Sequence, residues 1–226
     1  MSSIQTERSV SSFSTAARAG GLVLALGYLT GLVSGPMVAA LGGLALNTFG
    51  RSLRMGRAGQ EFAAAGFTVV AGALGVAAIR WGTLELAELR SVQAVLGPTI
   101  LVGPEPAAIA AIIAAVAASV ALGLWVAALP VKGFIQWTWT GLETLTMALA
   151  LVTAFWGPKI LYDSPAPISE MLASLGIWAA ATAVVTFAGI AGGLGALMLP
   201  RPIRLGLMGA ALVALAIAAG LMGSTL

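Results

Sequence analysis

Long apolar stretches, with almost every charge held at their ends, constrain this chain more than any motif in it. A helix needs about 20 apolar residues to cross the hydrocarbon of a bilayer. Six runs reach or approach that length, at residues 20–48, 62–80, 107–130, 133–157, 169–199 and 203–224. Hydrocarbon offers no water, so backbone N–H and C=O groups must find partners within the chain, and a helix does this segment by segment. No run alternates with the period of two that a membrane barrel requires. The expected fold is all-α, a polytopic membrane bundle of about six helices. Charged residues make up only 8% of the 226, against roughly 25% in a soluble domain that must face water. No hydrophilic stretch is long enough to bury a core of its own. Residues 20–226 are therefore expected to form one membrane domain behind a polar tail, 1–19.

The chain has no Cys and no His. Thiolate chemistry, protein-ligated iron–sulfur clusters and His-ligated haem are excluded within it, and the usual zinc ligands are missing. No cofactor and no metal are expected. Walker A, G-x-S-x-G and H-E-x-x-H patterns are absent, so no catalytic residues are expected either. Net charge is +3, but the basic residues sit in short hinges, which argues against a nucleic-acid partner. The expected partners are membrane lipids, other membrane subunits or a second copy of the chain.

The hinges differ in charge. The first, third and fifth hold six basic residues: Arg51, Arg54, Arg57, Lys132, Arg201 and Arg204. The second and fourth hold three, Arg80, Arg90 and Lys159, together with most of the acids. The positive-inside rule places the odd hinges in the cytoplasm, as expected for a multi-pass protein of a prokaryotic cytoplasmic membrane. Six full crossings would then put Arg8 and Arg18 on the wrong side. The conflict disappears if Pro36, after Gly35, breaks the first run into a re-entrant pair. Val92 to Val102, interrupted by Gly97-Pro98, is too short to span and reads as interfacial or re-entrant. Gly157-Pro158 and Ser164-Pro165-Ala166-Pro167 mark a rigid turn.

Of nineteen charged residues, one lies well inside an apolar run: Glu143, between Gly133 and Trp156. Gln136, Thr140, Glu143 and Thr146 fall on one helical face, with Thr153 at its edge. An ionised carboxylate in hydrocarbon costs several kcal/mol, so it faces the bundle interior, finds a partner or holds a proton. A carboxyl that exchanges a proton as its surroundings wet and dry is the simplest proton-coupling device, and Gln136, Thr140 and Thr146 would line the same path. A plainer reading is equally open. Trp137 and Trp139 fit an interfacial aromatic belt, which would put Glu143 only about 6 Å below it, within reach of a loop or headgroup.

Gly27, Gly31 and Gly35 recur every four residues, as do Gly189 and Gly193. Small residues at this spacing let helices approach closely in lipid. Arg51, Arg54, Arg201 and Arg204 read as topology anchors and phospholipid contacts. They belong to an internal echo: residues 42–59 and 192–209 match at seven of eighteen positions, as a parallel repeat would.

Over eleven residues, Gly141 to Leu151 (GLETLTMALAL), the chain resembles the Gly-hydrophobic-Glu helix of small proton-channel subunits in complex-I-like enzymes. The Asn residues expected after that Glu are absent; Met147 and Leu151 stand nearby instead. The resemblance implies a subunit of an energy-converting membrane complex, and the missing Asn residues put its proton path in doubt. Two functions follow as expectations. The first is a transport protein for a small solute or ion, with Glu143 as the proton- or cation-coupling group. The alternative is a non-catalytic accessory subunit that packs through Gly- and Ala-rich faces.

Overall fold

A computed structural model describes residues 2–96, 105–128, 133–156 and 168–224. Among these the secondary structure is helical, in eight elements: α1 (Ser2–Leu29), α2 (Met37–Ser52), α3 (Arg57–Trp81), α4 (Leu86–Leu96), α5 (Glu105–Ala127), α6 (Phe134–Phe155), α7 (Ile168–Leu197) and α8 (Arg201–Gly223). Four of them, α3, α5, α7 and α8, are long and apolar enough to cross a membrane. They correspond to four of the six apolar runs. The fifth, 133–157, is the helix α6, whose Gln, Thr and Glu side chains dilute its hydropathy. Lys132, Lys159, Asp163, Gly97-Pro98, Gly157-Pro158 and the 164–167 turn lie outside the described residues.

The remaining run, 20–48, is not one helix. Gly31 takes φ +80°, a left-handed conformation that other residues rarely adopt. Pro36, which has no N–H, then opens α2 from an extended conformation. The turn between them is pinned from outside: the Met37 N–H donates to the Leu84 carbonyl at 2.6 Å. The polar segment expected as a tail is helical from Ser2 and continues directly into the apolar part of α1.

The two halves of that broken run pack as an antiparallel pair with almost no space between backbones. A Cβ on Gly21 would lie 2.5 Å from the Asn47 nitrogen and the Gly43 oxygen, and one on Gly43 would lie 2.6 Å from the Ala25 nitrogen. Gly50 meets α1 in the same way, 2.8 Å from the Arg18 nitrogen. Gly43→Ala is expected to force α1 and α2 apart and cost about 1–3 kcal/mol, the range for overpacking. Gly42→Ala, with open space at its Cβ, is the control and should be neutral or stabilising. Thermal unfolding of the two variants in detergent checks this.

α5 sits at the centre, against α3, α7 and α8, and α6 packs on α7. The α2–α3 and α7–α8 turns share one end of the bundle: Arg201, which opens α8, donates to Glu61 in the first turns of α3 at 3.3 Å. The first half of α1 reaches the same end, where Arg54 donates to the Ser11 carbonyl at 2.9 Å. The α1–α2 hairpin therefore returns the chain to the basic end before α3 begins.

Both copies of the internal echo end one helix and open the next, but the arginines do not keep their register. Arg51 lies in the last turn of α2, whereas Arg201, aligned with it, is the first residue of α8. The GGL residues precede both turns and Gly59 and Gly209 follow both, so it is Arg51 and Arg201 that fall on opposite sides.

Candidate functional site

Two helical faces meet at the α1–α2 seam. Ser14, Arg18, Gly21 and Ala25 follow one side of α1, and Gly43, Asn47 and Arg51 follow one side of α2. Because the glycines bring the backbones into contact, the polar residues on these faces become neighbours. The Ser14 hydroxyl donates to the Gly50 carbonyl at 2.6 Å, and Asn47 Nδ2 donates to the Arg18 carbonyl at 3.2 Å.

Glu143 of α6 enters this seam and is 1% exposed. Its Oε1 accepts from Arg18 Nε at 2.6 Å and from Asn47 Nδ2 at 3.3 Å. Its Oε2 accepts from Arg51 Nη1 at 2.6 Å. Arg51 Nη2 continues to the carbonyls of Trp125 and Val126, each at 3.3 Å. Those carbonyls lie in the last turn of α5, where the helix dipole favours a cation; the Trp125 carbonyl also accepts from the Ala128 N–H at 3.3 Å. The two guanidinium groups also lie over aromatic rings: Arg51 over Trp125 at 3.9 Å and Arg18 over Trp139 at 5.0 Å. One carboxylate thus ties together α1, α2 and α6, and through Arg51 also α5.

The polar stripe expected on α6 divides. Glu143 is in the cluster. Thr140, one turn before it, is buried with a hydroxyl that meets no partner among the described residues. The Thr146 hydroxyl donates to Leu142 of its own helix at 2.8 Å. Gln136 is exposed at the start of α6. Thr140, Glu143 and Thr146 are buried, whereas Gln136 is not.

Arg51 is not a lipid anchor. At 0% exposure it is among the most buried side chains in the protein, held there by Glu143 and the end of α5. Arg54 and Arg201 are exposed at the basic end, and Arg204 is half-buried over the Phe62 ring at 5.4 Å. The glycines also sort differently. Gly31 and Gly35 lie in the turn after α1, and Gly27 has nothing nearer its Cβ position than Val33 at 3.5 Å. The close α1–α2 approach belongs to Gly21, Gly43 and Gly50. Gly189 and Gly193 do face a neighbouring helix: their Cβ positions lie 2.9 Å from Leu122 and 2.5 Å from Val126, both on α5.

Comparison with protein-family models, with curated proteins and with solved structures finds no match to this chain. The reading of the site therefore rests on its geometry.

A second polar tie stands at the opposite end. From α4, the buried Arg90 guanidinium donates to the Leu29 carbonyl, and Gln93 Nε2 donates to the Ala154 carbonyl at 2.6 Å. These acceptors end α1 and α6. Arg18 to Leu29 and Glu143 to Ala154 are each eleven residues, about 16 Å along a helix. α1 and α6 are thus fastened to each other directly at one level and through α4 at another. Two grooves flank α5, one of about 330 Å³ against α8 and one of about 160 Å³ against α6 and α7. Both are lined almost wholly by apolar side chains, and neither is lined by a residue of the charge cluster.

Sequence reasoning missed Arg18, Asn47, Trp125, Arg90 and Gln93. A signal for two of them, Arg18 and Asn47, was present. Ser14-Arg18-Gly21-Ala25 and Gly43-Asn47-Arg51 are both small-and-polar helical faces, readable once residues 2–19 are taken as helix. Trp125 carried no such signal.

Proposed function

We propose that this chain is a multi-pass membrane protein that moves a small solute or ion, with the Glu143–Arg18–Arg51 cluster as a latch between the α1–α2 hairpin and α6. The observation that carries this reading is a fully buried carboxylate whose two cationic partners both come from a separate hairpin. Buried ion pairs are poor stabilisers, since apolar side chains of the same volume often do as well or better. Charges kept at such a position in an apolar chain suit a contact that has to open and re-form. The chemistry also shifts the role of Glu143. Both its oxygens are taken by guanidinium groups, so a cation would have to displace an arginine to reach it. Glu143 then serves as the fixed negative pole of the latch, with Thr140 beside it, and α4 closes the other level. The basic end, by the positive-inside rule, faces the cytoplasm.

Glu143→Asp tests this. It keeps the charge but shortens the reach by one methylene, so it weakens the latch without leaving two arginines unpaired. Wild-type protein in liposomes loaded with pH-, potassium- and anion-sensitive dyes is expected to pass at least one ion above the rate of empty liposomes. The Asp variant is expected to change that rate several-fold at unchanged helix content. No flux from the wild type, or equal flux from both, would count against the reading.

One observation favours a second role, as an accessory subunit of a larger membrane complex. Only 6% of the apolar window of α7 and 22% of that of α8 are buried, against 56% for α3 and α5. Two helices leave most of their surface to lipid or to partner helices. Extraction in mild detergent followed by mass spectrometry separates the cases. A subunit brings other membrane proteins in fixed ratio, whereas a stable, solitary chain removes this role.

A further inference from the structure

The buried cluster does not balance its charge. Arg18, Arg51 and Glu143 are 3%, 0% and 1% exposed, and they sum to one positive charge. Among the described residues neither arginine pairs with a second carboxylate. An uncompensated charge out of water is costly unless something of opposite sign meets it. The two arginines differ in how far they are satisfied. Arg51 spends Nη1 on Glu143 and Nη2 on two carbonyls at the end of α5, and only its enclosed Nε meets no partner among the described residues. Arg18 spends only Nε, on Glu143, and its Nη1 and Nη2 donate to no acceptor among the described residues. Its side chain is only 4% exposed, and neither Nη nitrogen is among the fully enclosed donors, so the small opening that remains reaches this edge. Two parallel donors on the free edge of a guanidinium are the fork that phosphate and carboxylate oxygens match bidentately.

The approach to this edge is also basic. Ser11, Thr15 and Arg18 lie on one side of α1, and Arg54, exposed at the basic end, donates to Thr15 Oγ1 at 2.5 Å. Thr15 is one turn from Arg18 toward that end, about 4.5 Å along the helix axis. Arg54, Arg18 and Arg51 form a series of decreasing exposure leading inward.

We propose that the free edge of Arg18, beside the Trp139 ring, binds a phosphate-type oxyanion that supplies the missing negative charge, with Arg54 at the mouth of the site. The oxyanion is the phosphodiester of an anionic lipid or free phosphate; the chemistry at Arg18 is the same. The proposal rests on the charge cluster and not on transport, since a site of this kind binds whether or not anything is moved.

The test uses the full chain in an uncharged detergent and reads the thermal unfolding midpoint at constant ionic strength. Inorganic phosphate is titrated against chloride, and phosphatidylglycerol against phosphatidylcholine. The midpoint of the wild type is expected to rise saturably with phosphate, with phosphatidylglycerol, or with both. A rise with phosphate assigns a free anion, and a rise with phosphatidylglycerol alone assigns a lipid headgroup. Arg18→Gln leaves the neutral Arg51–Glu143 pair and should need at least tenfold more of the same anion. Arg18→Lys, which keeps the charge but loses the fork, should fall between the two and serves if the Gln variant does not fold. No saturable rise in the wild type, or an equal response from the Arg18 variants, overturns the proposal. Because the readout is binding, absence of flux in liposomes leaves it standing.

Discussion

Glu143→Gln is expected to lower the stability of the detergent-solubilised protein by about 3–5 kcal/mol, the range for breaking a buried pair by removing one partner. The loss comes less from the contacts removed than from what remains. Arg18 and Arg51 would face each other with no carboxylate between them, and an amide cannot supply charge to either. For a chain of this length each kcal/mol moves the midpoint by roughly 2–4 °C, so the shift is readily measured. A double-mutant cycle gives a sharper reading. Arg51→Gln together with Glu143→Gln leaves a single uncompensated arginine in place of two. It should cost less than the sum of the two single changes, with a coupling on the order of 1–3 kcal/mol. A Glu143→Gln loss below about 1 kcal/mol is the magnitude of a solvent-exposed pair. It would mean that water reaches the cluster and that the burial of Glu143 is not maintained in solution.

The sequence made Glu143 visible because a single charge in an apolar run needs an explanation. It did not make the partners visible, for a physical reason. Arg18 follows a Ser-rich segment that reads as a tail, and the helix that carries it gains its packing from α2, not from its own composition. The close-packed glycines were misplaced for a related reason. Gly27, Gly31 and Gly35 keep a four-residue spacing, but Gly31 and Pro36 end the helix that the spacing presupposes. The seam instead uses Gly21, Gly43 and Gly50, whose partners lie on another element. The break at Pro36 was legible because proline and glycine act locally. Arg90 and Gln93 were not, because a polar connection gives no sign of which helix ends it will cap. Local chemistry could be read from the chain, whereas pairings between elements needed the structure.

The largest separation between a structural and a working role for the cluster comes from removing all three charges together. Arg18→Met, Arg51→Met and Glu143→Leu replace the triad with apolar side chains of similar reach and leave no ion unpaired. Such replacements of buried ion networks are often neutral or stabilising by about 1–4 kcal/mol, so the triple variant is expected to fold at least as well as the Glu143→Gln variant and better. In lipid, however, apolar side chains gain little by meeting one another instead of acyl chains. The hairpin would then be held by the Gly21–Gly43 seam and by α4, with no directional contact to α6 at the basic end. If the cluster is a latch, the triple variant keeps its helix content and midpoint but loses gated flux, leaking or standing still. If the cluster only orders the bundle, flux and midpoint are both retained. If the variant fails to insert, the charges are required for assembly, as a determinant that sets which helices meet. The three outcomes differ in two independent measurements, flux and unfolding midpoint, so each points to one role for Glu143.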